Sequence, residues 1–256
     1  MLEHSNLEEF QDPANYDLEE EQRAAPRIQF YAALAQEAGG PVLEIACGTG
    51  LAALPIAARG LVVTGVDLAR PMLAYARLKA RQQGLLVNLV EADARQFHFN
   101  QQFSFIFLTG NAFQAFLQRT DQERLLATIK RHLAPHGMLA FETRNPSGHD
   151  LNDQPEEELW FTYQNVQGQV VNVSGTQRYD PLNQLMQWTT YRRWQDAKEN
   201  RMTATRIACR FSYPRELEAL LHYNGFQIIS QYGDWDKSDL TAQSEEIISV
   251  CRHRPI

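Results

Sequence analysis

Cysteine is scarce in this chain: three among 256 residues, at Cys47, Cys209 and Cys251. They are far apart, odd in number and without metal-ligand spacing. That excludes a disulfide framework and a metal centre, and it suits a reducing compartment in which each thiol is a small buried hydrophobe. Long apolar runs are missing too, with nothing near the roughly 18 consecutive apolar residues of a membrane helix. The opening Met1-Leu2-Glu3-His4-Ser5 lacks the basic and apolar segments of a signal peptide, so the expected setting is the cytoplasm. Positive charge is in deficit, 24 Lys and Arg against 31 Asp and Glu for a net charge of −7, which argues against a nucleic-acid partner. No internal repeat and no low-complexity tract interrupts the chain. What remains is an ordinary globular composition, 44% hydrophobic and 21% charged, for one large domain or a domain with a substantial insertion.

The most informative stretch is Val42-Leu43-Glu44-Ile45-Ala46-Cys47-Gly48-Thr49-Gly50. A short apolar run ends in an acid and breaks into small residues, and Leu61 to Asp67 repeats the pattern of a buried strand ending in an acid. Around them strands and helices alternate. The strands are Pro41 to Ile45, Leu61 to Val66, Leu85 to Val90, Phe103 to Leu108 and Met138 to Glu142. The helices run near Glu21 to Ala38, Gly50 to Ala58, Arg70 to Gln82 and Asp121 to Leu133, with Pro71 in a first turn where proline belongs. Such alternation implies an α/β fold, a doubly wound parallel sheet with right-handed crossovers. The acidic segment from Leu7 to Glu21 reads as a loosely ordered arm or lid.

After Asn145-Pro146-Ser147-Gly148 the rhythm changes. Runs at Trp160 to Asn165, Gln169 to Arg178, Gln184 to Trp194 and Ala204 to Phe211 alternate like antiparallel strands, with turns at Asp180 to Asn183 and Asp196 to Asn200. A helix (Pro214 to Tyr223) and strands (Phe226 to Gln231, Glu246 to Cys251) then resume the α/β pattern. The expected organisation is an arm (residues 1–20), a core (21–148 and 213–256) and an antiparallel β insertion (149–212).

The loop Gly48-Thr49-Gly50-Leu51-Ala52-Ala53 formally matches the dinucleotide fingerprint, and Asp67 lies at about the ~20-residue spacing of a ribose-binding acid. An NAD(P)-dependent oxidoreductase is therefore one reading. Glu44 weighs against it, because a carboxylate beside a buried pyrophosphate is repelled, whereas beside a cationic ligand it is attracted.

These residues resemble the class I S-adenosylmethionine-dependent methyltransferases. The likeness rests on Val42 to Gly50, Val66-Asp67 with Pro71-Met72-Leu73, Glu91-Ala92-Asp93-Ala94 and Leu133 to Leu139, and it spans roughly residues 40 to 145. It implies a seven-stranded, Rossmann-like, mostly parallel sheet of order 3-2-1-4-5-7-6, with the last strand antiparallel. It also implies S-adenosyl-L-methionine as cofactor and no metal. Gly48 and Gly50 would admit the methionine part and sugar, with Ala46 where the family often has glycine. Glu44 would face the methionyl ammonium through water. Asp67 would take both ribose hydroxyls, and Asp93 the adenine amino group with the Ala94 N–H on the ring. Leu68 and Met72 would pack on the adenine faces, and the Leu108 and Thr109 carbonyls would meet the ammonium.

The acceptor should lie beyond the fourth and fifth strand ends, roofed by the insertion. Asn111, Arg144, Trp160, Tyr191, Arg192 and Arg206 are the candidate acceptor-binding residues. Tyr16, Glu142 and His149 are candidate bases without diagnostic spacing, and Phe10 and Tyr16 are placed to close over the cofactor. Asn111-Ala112-Phe113 lacks the Pro-Pro-aromatic context of nucleic-acid amino-methyltransferases. The expected enzyme methylates a small molecule, off the membrane, as a monomer or homodimer. A non-catalytic S-adenosylmethionine-binding protein is a third reading.

Overall fold

The computed structural model describes residues 5–196 and 199–255. The ends of the expected arm and core (1–4 and 256) and part of the turn Asp196 to Asn200 (197–198) lie outside the described residues.

Seven strands form the main sheet. They are β1 (Val42–Ile45), β2 (Val63–Asp67), β3 (Val87–Glu91), β4 (Phe103–Leu108), β5 (Leu133–Arg144), β10 (Phe226–Tyr232) and β11 (Glu246–His253), in the order β10-β11-β5-β4-β1-β2-β3. The order is 3-2-1-4-5-7-6 as expected, with β11 as the seventh strand and antiparallel to both its neighbours. The helices are α1 (Pro13–Ala38), α2 (Ala53–Ala57), α3 (Arg70–Gln82), α4 (Arg119–His132) and α5 (Pro214–Tyr223). The central strand shows why both faces must be covered. Ile106 and Leu108 join a core with Leu125 and Ile129 of α4, while Phe105 and Phe107 join one with Tyr31 and Leu34 of α1 and Ile56 of α2. A strand buried on both faces reads as a continuous apolar run.

The remaining strands, β6 (Gln154–Gln164), β7 (Val170–Asp180), β8 (Leu185–Asp196) and β9 (Glu199–Arg210), form one antiparallel meander. At the β7–β8 turn, Asp180 accepts from the Leu182 N–H at 3.0 Å and Gln184 adopts φ 56°. β9 packs against a 3-10 turn at Ser5–Phe10 and a second one at Ala112–Ala115, which seats the meander over the carboxyl ends of the main strands.

The expected loose arm is the clearest correction. α1 begins at Pro13, not Glu21, and Ser5–Phe10 is already a 3-10 turn. Asp12 caps the helix by accepting from the Asn15 N–H at 3.3 Å, and proline at the first helical position costs no hydrogen bond. A boundary drawn at residue 20 therefore falls inside a helix. β5 and β6 also start earlier than the alternation suggested, at Leu133 and Gln154, and the helix expected over Gly50 to Ala58 is confined to Ala53–Ala57.

Candidate active site

A cavity of about 300 Å³ opens at the carboxyl ends of β1, β2 and β4. Its floor carries Ala46, Gly48, Asp67, Leu68, Met72, Asp93, Ala94, Thr109 and Asn111. The glycine loop bends three times through left-handed backbone, at Ala46 (φ 57°), Gly48 (φ 52°) and Gly50 (φ 77°). Ala46 pays a steric cost there that glycine would avoid. Asp67 ties the loop down: one carboxylate oxygen accepts from the Gly48 N–H and the other from the Ala69 N–H, both at 2.7 Å. Burial raises its pKa, and those N–H groups oppose the shift. With two donors bound, the carboxylate keeps acceptor capacity on both oxygens.

Glu44 lies behind the loop, 1% exposed, and its Oε2 has no hydrogen-bond partner among the described residues. Burial pushes its pKa well above the carboxylate range, against the Ala53 N–H. Gly50 and Leu108 stand off the cavity, Gly50 turning toward Leu54 and Leu108 packed in the core. Asp93 lines the cavity, but Arg95 grips both its oxygens, with Nη2 at 2.7 Å, and holds its pKa below the usual value. Its Oδ1 also accepts from the Arg95 N–H at 2.9 Å.

The roof comes from elements far away in sequence. Asn6, Leu7, Phe10 and Tyr16 of the arm face the loop, and the Phe10 and Tyr16 rings meet edge-to-face at 5.8 Å. α1 is pinned to the floor by Asp17, whose carboxylate receives the Thr49 hydroxyl and the Lys79 ammonium. Ile207 and Cys209 of β9 and Phe116 and Leu117 after β4 complete the wall. Sequence reasoning missed these four. The period-two spacing of Ile207 and Cys209 put them on one face of β9, but nothing local showed which way that face turned.

A family model described as a methyltransferase domain matches residues 42–137, the whole of this floor. Residues 42–137 are thus a methyltransferase domain, which supports the class I S-adenosylmethionine-dependent reading of the sequence. It is 31% identical to the cypemycin N-terminal methyltransferase of a Streptomyces species over 43% of this chain and 44% of that one. The chain spans about half the length of several other curated relatives it matches. Its fold is similar to the CcbJ methyltransferase of Streptomyces caelestis (TM-score 0.81, 24% identity, 97% and 98% of the two chains). It is also similar to CalS10, an amino pentose methyltransferase of Micromonospora echinaspora with its cofactor bound (TM-score 0.70, 20% identity, 90% and 95%). Neither the dinucleotide oxidoreductase nor the non-catalytic binding protein finds support in these likenesses. S-adenosylmethionine suits the site, because the orphaned Glu44 oxygen calls for a cation and the cofactor carries an ammonium and a sulfonium.

In this methyltransferase Glu142 does not reach the cavity wall, which corrects its candidacy as a base. It is 1% exposed and already accepts from three donors: the Tyr31 hydroxyl, the Asn111 N–H at 3.1 Å and Thr109 Oγ1 at 3.4 Å. It clamps the Thr109-Gly110-Asn111 loop from below, with burial raising its pKa and the Arg27 charge opposing. Glu246 stands nearby on β11, its Oε2 unpartnered among the described residues, and burial followed by the Glu142 charge pushes its pKa up to about 8. The folded state therefore holds a proton that the unfolded chain releases near pH 4.5. The resulting stability is complete below that value and is lost as pH rises through about 8. Glu246→Gln should flatten the denaturant midpoint across this window and exceed the parent's at about pH 9; a parent midpoint that rises across the window contradicts the assignment.

The other acceptor candidates divide. Asn111 lines the cavity. Arg192 does not: it is partly buried between Glu9 (2.7 Å) and Glu19 (2.6 Å) and donates to Thr205 at 2.9 Å. Arg206 pairs with Glu8 at 3.1 Å. Both arginines hold the acidic arm and are not free for a substrate anion. Trp160, 40% exposed, lies across β7 at Gly175, where a Cβ would come within 2.2 Å of its ring. Tyr191 carries the Arg193 guanidinium on its ring at 5.0 Å, and Arg144 is exposed over the Trp188 ring at 5.3 Å. His149 is exposed in the loop before β6, and its carbonyl accepts from Gln177 at 3.0 Å and from the Asn152 N–H at 3.4 Å. Tyr16 does line the cavity, but burial and neighbouring carboxylates raise its pKa above the ordinary tyrosine value, which suits a hydrogen-bonding hydroxyl and not a base. Among the described residues no group of three acidic, histidine or cysteine side chains is placed to hold a metal, and no helix is long and apolar enough to cross a membrane.

Proposed function

We propose that this methyltransferase transfers a methyl group to a small organic acceptor within the cavity between the glycine loop and β9. The observation that carries the reading is the continuity of that cavity. Most of the residues expected to hold the cofactor, from Ala46 and Gly48 to Asp67, Asp93 and Thr109, share one wall with the apolar residues Phe10, Phe116, Leu117 and Ile207. About 300 Å³ lies at the lower end of small-molecule sites. Relatives titled as a cypemycin N-terminal methyltransferase and an amino pentose methyltransferase support a compact acceptor.

S-adenosylmethionine supplies a methyl group already activated on sulfonium. The protein's work is then positioning and exclusion of water. Asp67 would accept the ribose hydroxyls on its remaining lone pairs, Glu44 would neutralise the methionyl ammonium through water, and the Leu108 and Thr109 carbonyls would share that ammonium. Leu68 and Met72 would sandwich the adenine. Asp93, shared with Arg95, and the Ala94 N–H would meet the adenine edge. The arm (1–20), the core (21–148 and 213–256) and the insertion (149–212) are the working parts of this proposal, with arm and insertion as roof. The net charge of −7 and three free cysteines support action in the cytoplasm, as a monomer or homodimer.

Incubation with methyl-labelled S-adenosylmethionine and a metabolite extract should place label in the low-molecular-weight fraction. Label confined to RNA or protein contradicts the proposal.

A further inference from the structure

The roof of the cavity differs in kind from its floor. Among the described residues every charged side chain on the wall belongs to the floor or to α4: Asp67 of β2, Asp93 and Arg95 after β3, and Asp121 in the first turn of α4. They set three carboxyl groups against one guanidinium, which is itself held by Asp93 at 2.7 Å and Asp121 at 3.2 Å. The roof instead presents Leu7 and Phe10 of the arm, Phe116 and Leu117 after β4, and Ile207 and Cys209 of β9. These three segments meet because β9 packs against both 3-10 turns. All but Cys209 are half-buried, so part of their apolar surface is left out of the core.

The polar groups among them are spent or neutral. Asn6 donates to the Ala208 carbonyl at 2.9 Å and accepts the Ala208 N–H at 2.8 Å, so its amide serves the backbone of β9. Burial pushes the Cys209 thiol up to about 11, which leaves it a small apolar group at neutral pH. Arg144 acts on that thiol only through space and stands over the Trp188 ring at 5.3 Å. Thr109, Asn111, Gln118 and Tyr16 add hydroxyl and amide groups to the wall, and burial keeps the Tyr16 hydroxyl protonated.

A carboxylate or phosphate brought under this roof would lose hydration without gaining a cation, and it would face the three carboxyl groups of the floor. An apolar ring would cover rings and aliphatic chains that are otherwise wetted, as concave apolar sites favour. We propose that the acceptor is an uncharged, mainly apolar compound, seated by an apolar ring or chain on Phe10, Phe116 and Ile207. Ile207 and Phe116 then set specificity, and phosphorylated or carboxylated acceptors are excluded. This rests on the cofactor and small-molecule reading above and names the substrate class of the same site.

A matched pair of probes tests it without a known acceptor: 2-naphthol, uncharged at pH 7, and 2-naphthoate, the same ring with a carboxylate. Each is titrated by calorimetry into the protein saturated with S-adenosylhomocysteine. The unmodified protein should bind 2-naphthol at least about 10-fold more tightly than 2-naphthoate. Phe116→Ala should weaken 2-naphthol by about 10-fold. Ile207→Lys, which gives the roof a cation, should reverse the order of the two probes. Equal affinities, tighter 2-naphthoate or no 2-naphthol binding in the unmodified protein overturns the proposal alone, as does an order that Ile207→Lys leaves unchanged while S-adenosylhomocysteine still binds. Failure of the unmodified protein to bind S-adenosylhomocysteine overturns the cofactor reading and this proposal together.

Discussion

Asp67→Ala should lower S-adenosylhomocysteine affinity by about 100-fold, the sum of two charge-assisted hydrogen bonds to ribose at about 1.5 kcal/mol each. The protein should also lose stability, by about 1–3 kcal/mol for each backbone N–H left unpaired at Gly48 and Ala69. Asp67→Asn separates the two effects. Its amide oxygen can keep one backbone donor, so stability should fall less than in the alanine variant while cofactor affinity still drops. Calorimetry and thermal melts on the three proteins check the pattern. Unchanged affinity in Asp67→Ala would remove this carboxylate from the cofactor site.

The second large effect concerns the arm. Arg192→Ala deletes a partly buried guanidinium from between Glu9 and Glu19 and leaves two carboxylates facing each other with the Thr205 hydroxyl. Removing one partner of such a hydrogen-bonded pair costs about 1–3 kcal/mol. The protein should shed most of that cost by releasing the Ser5–Phe10 turn and the first turns of α1 from β9. Hydrogen exchange over residues 5–20 should therefore accelerate well before the main sheet loosens, and cofactor exchange should quicken because Phe10 and Tyr16 leave the roof. Protection over residues 5–20 equal to the parent's contradicts the account.

This arm marks the boundary of what was legible in the sequence. Local pattern was enough for the elements of the core. The buried run of β4 and the proline-started helix Arg70–Gln82 stand as the alternation implied, because periodicity and turn chemistry are local. The order of the seven main strands stands as the family resemblance implied. The acidic segment from Leu7 to Glu21 carried no apolar stripe, so it read as loose; its order comes from Arg192, Arg206 and Lys79, tens to hundreds of residues away. The same long-range pairing explains why Arg192 and Arg206 looked free for a substrate. The pairing of Asp93 with Arg95, two residues on, had no signal in the local pattern either. Glu142 read as a base for a related reason, since its three donors arrive from α1 and from the loop after β4.

The central claim is that Glu44 and the loop beyond it select a cation-bearing nucleoside over a pyrophosphate. Titration of the unmodified protein with S-adenosylhomocysteine and, separately, with NADH tests it most directly. The account predicts saturable one-to-one binding of S-adenosylhomocysteine and no binding of NADH. Saturable NADH binding with none for S-adenosylhomocysteine would contradict it.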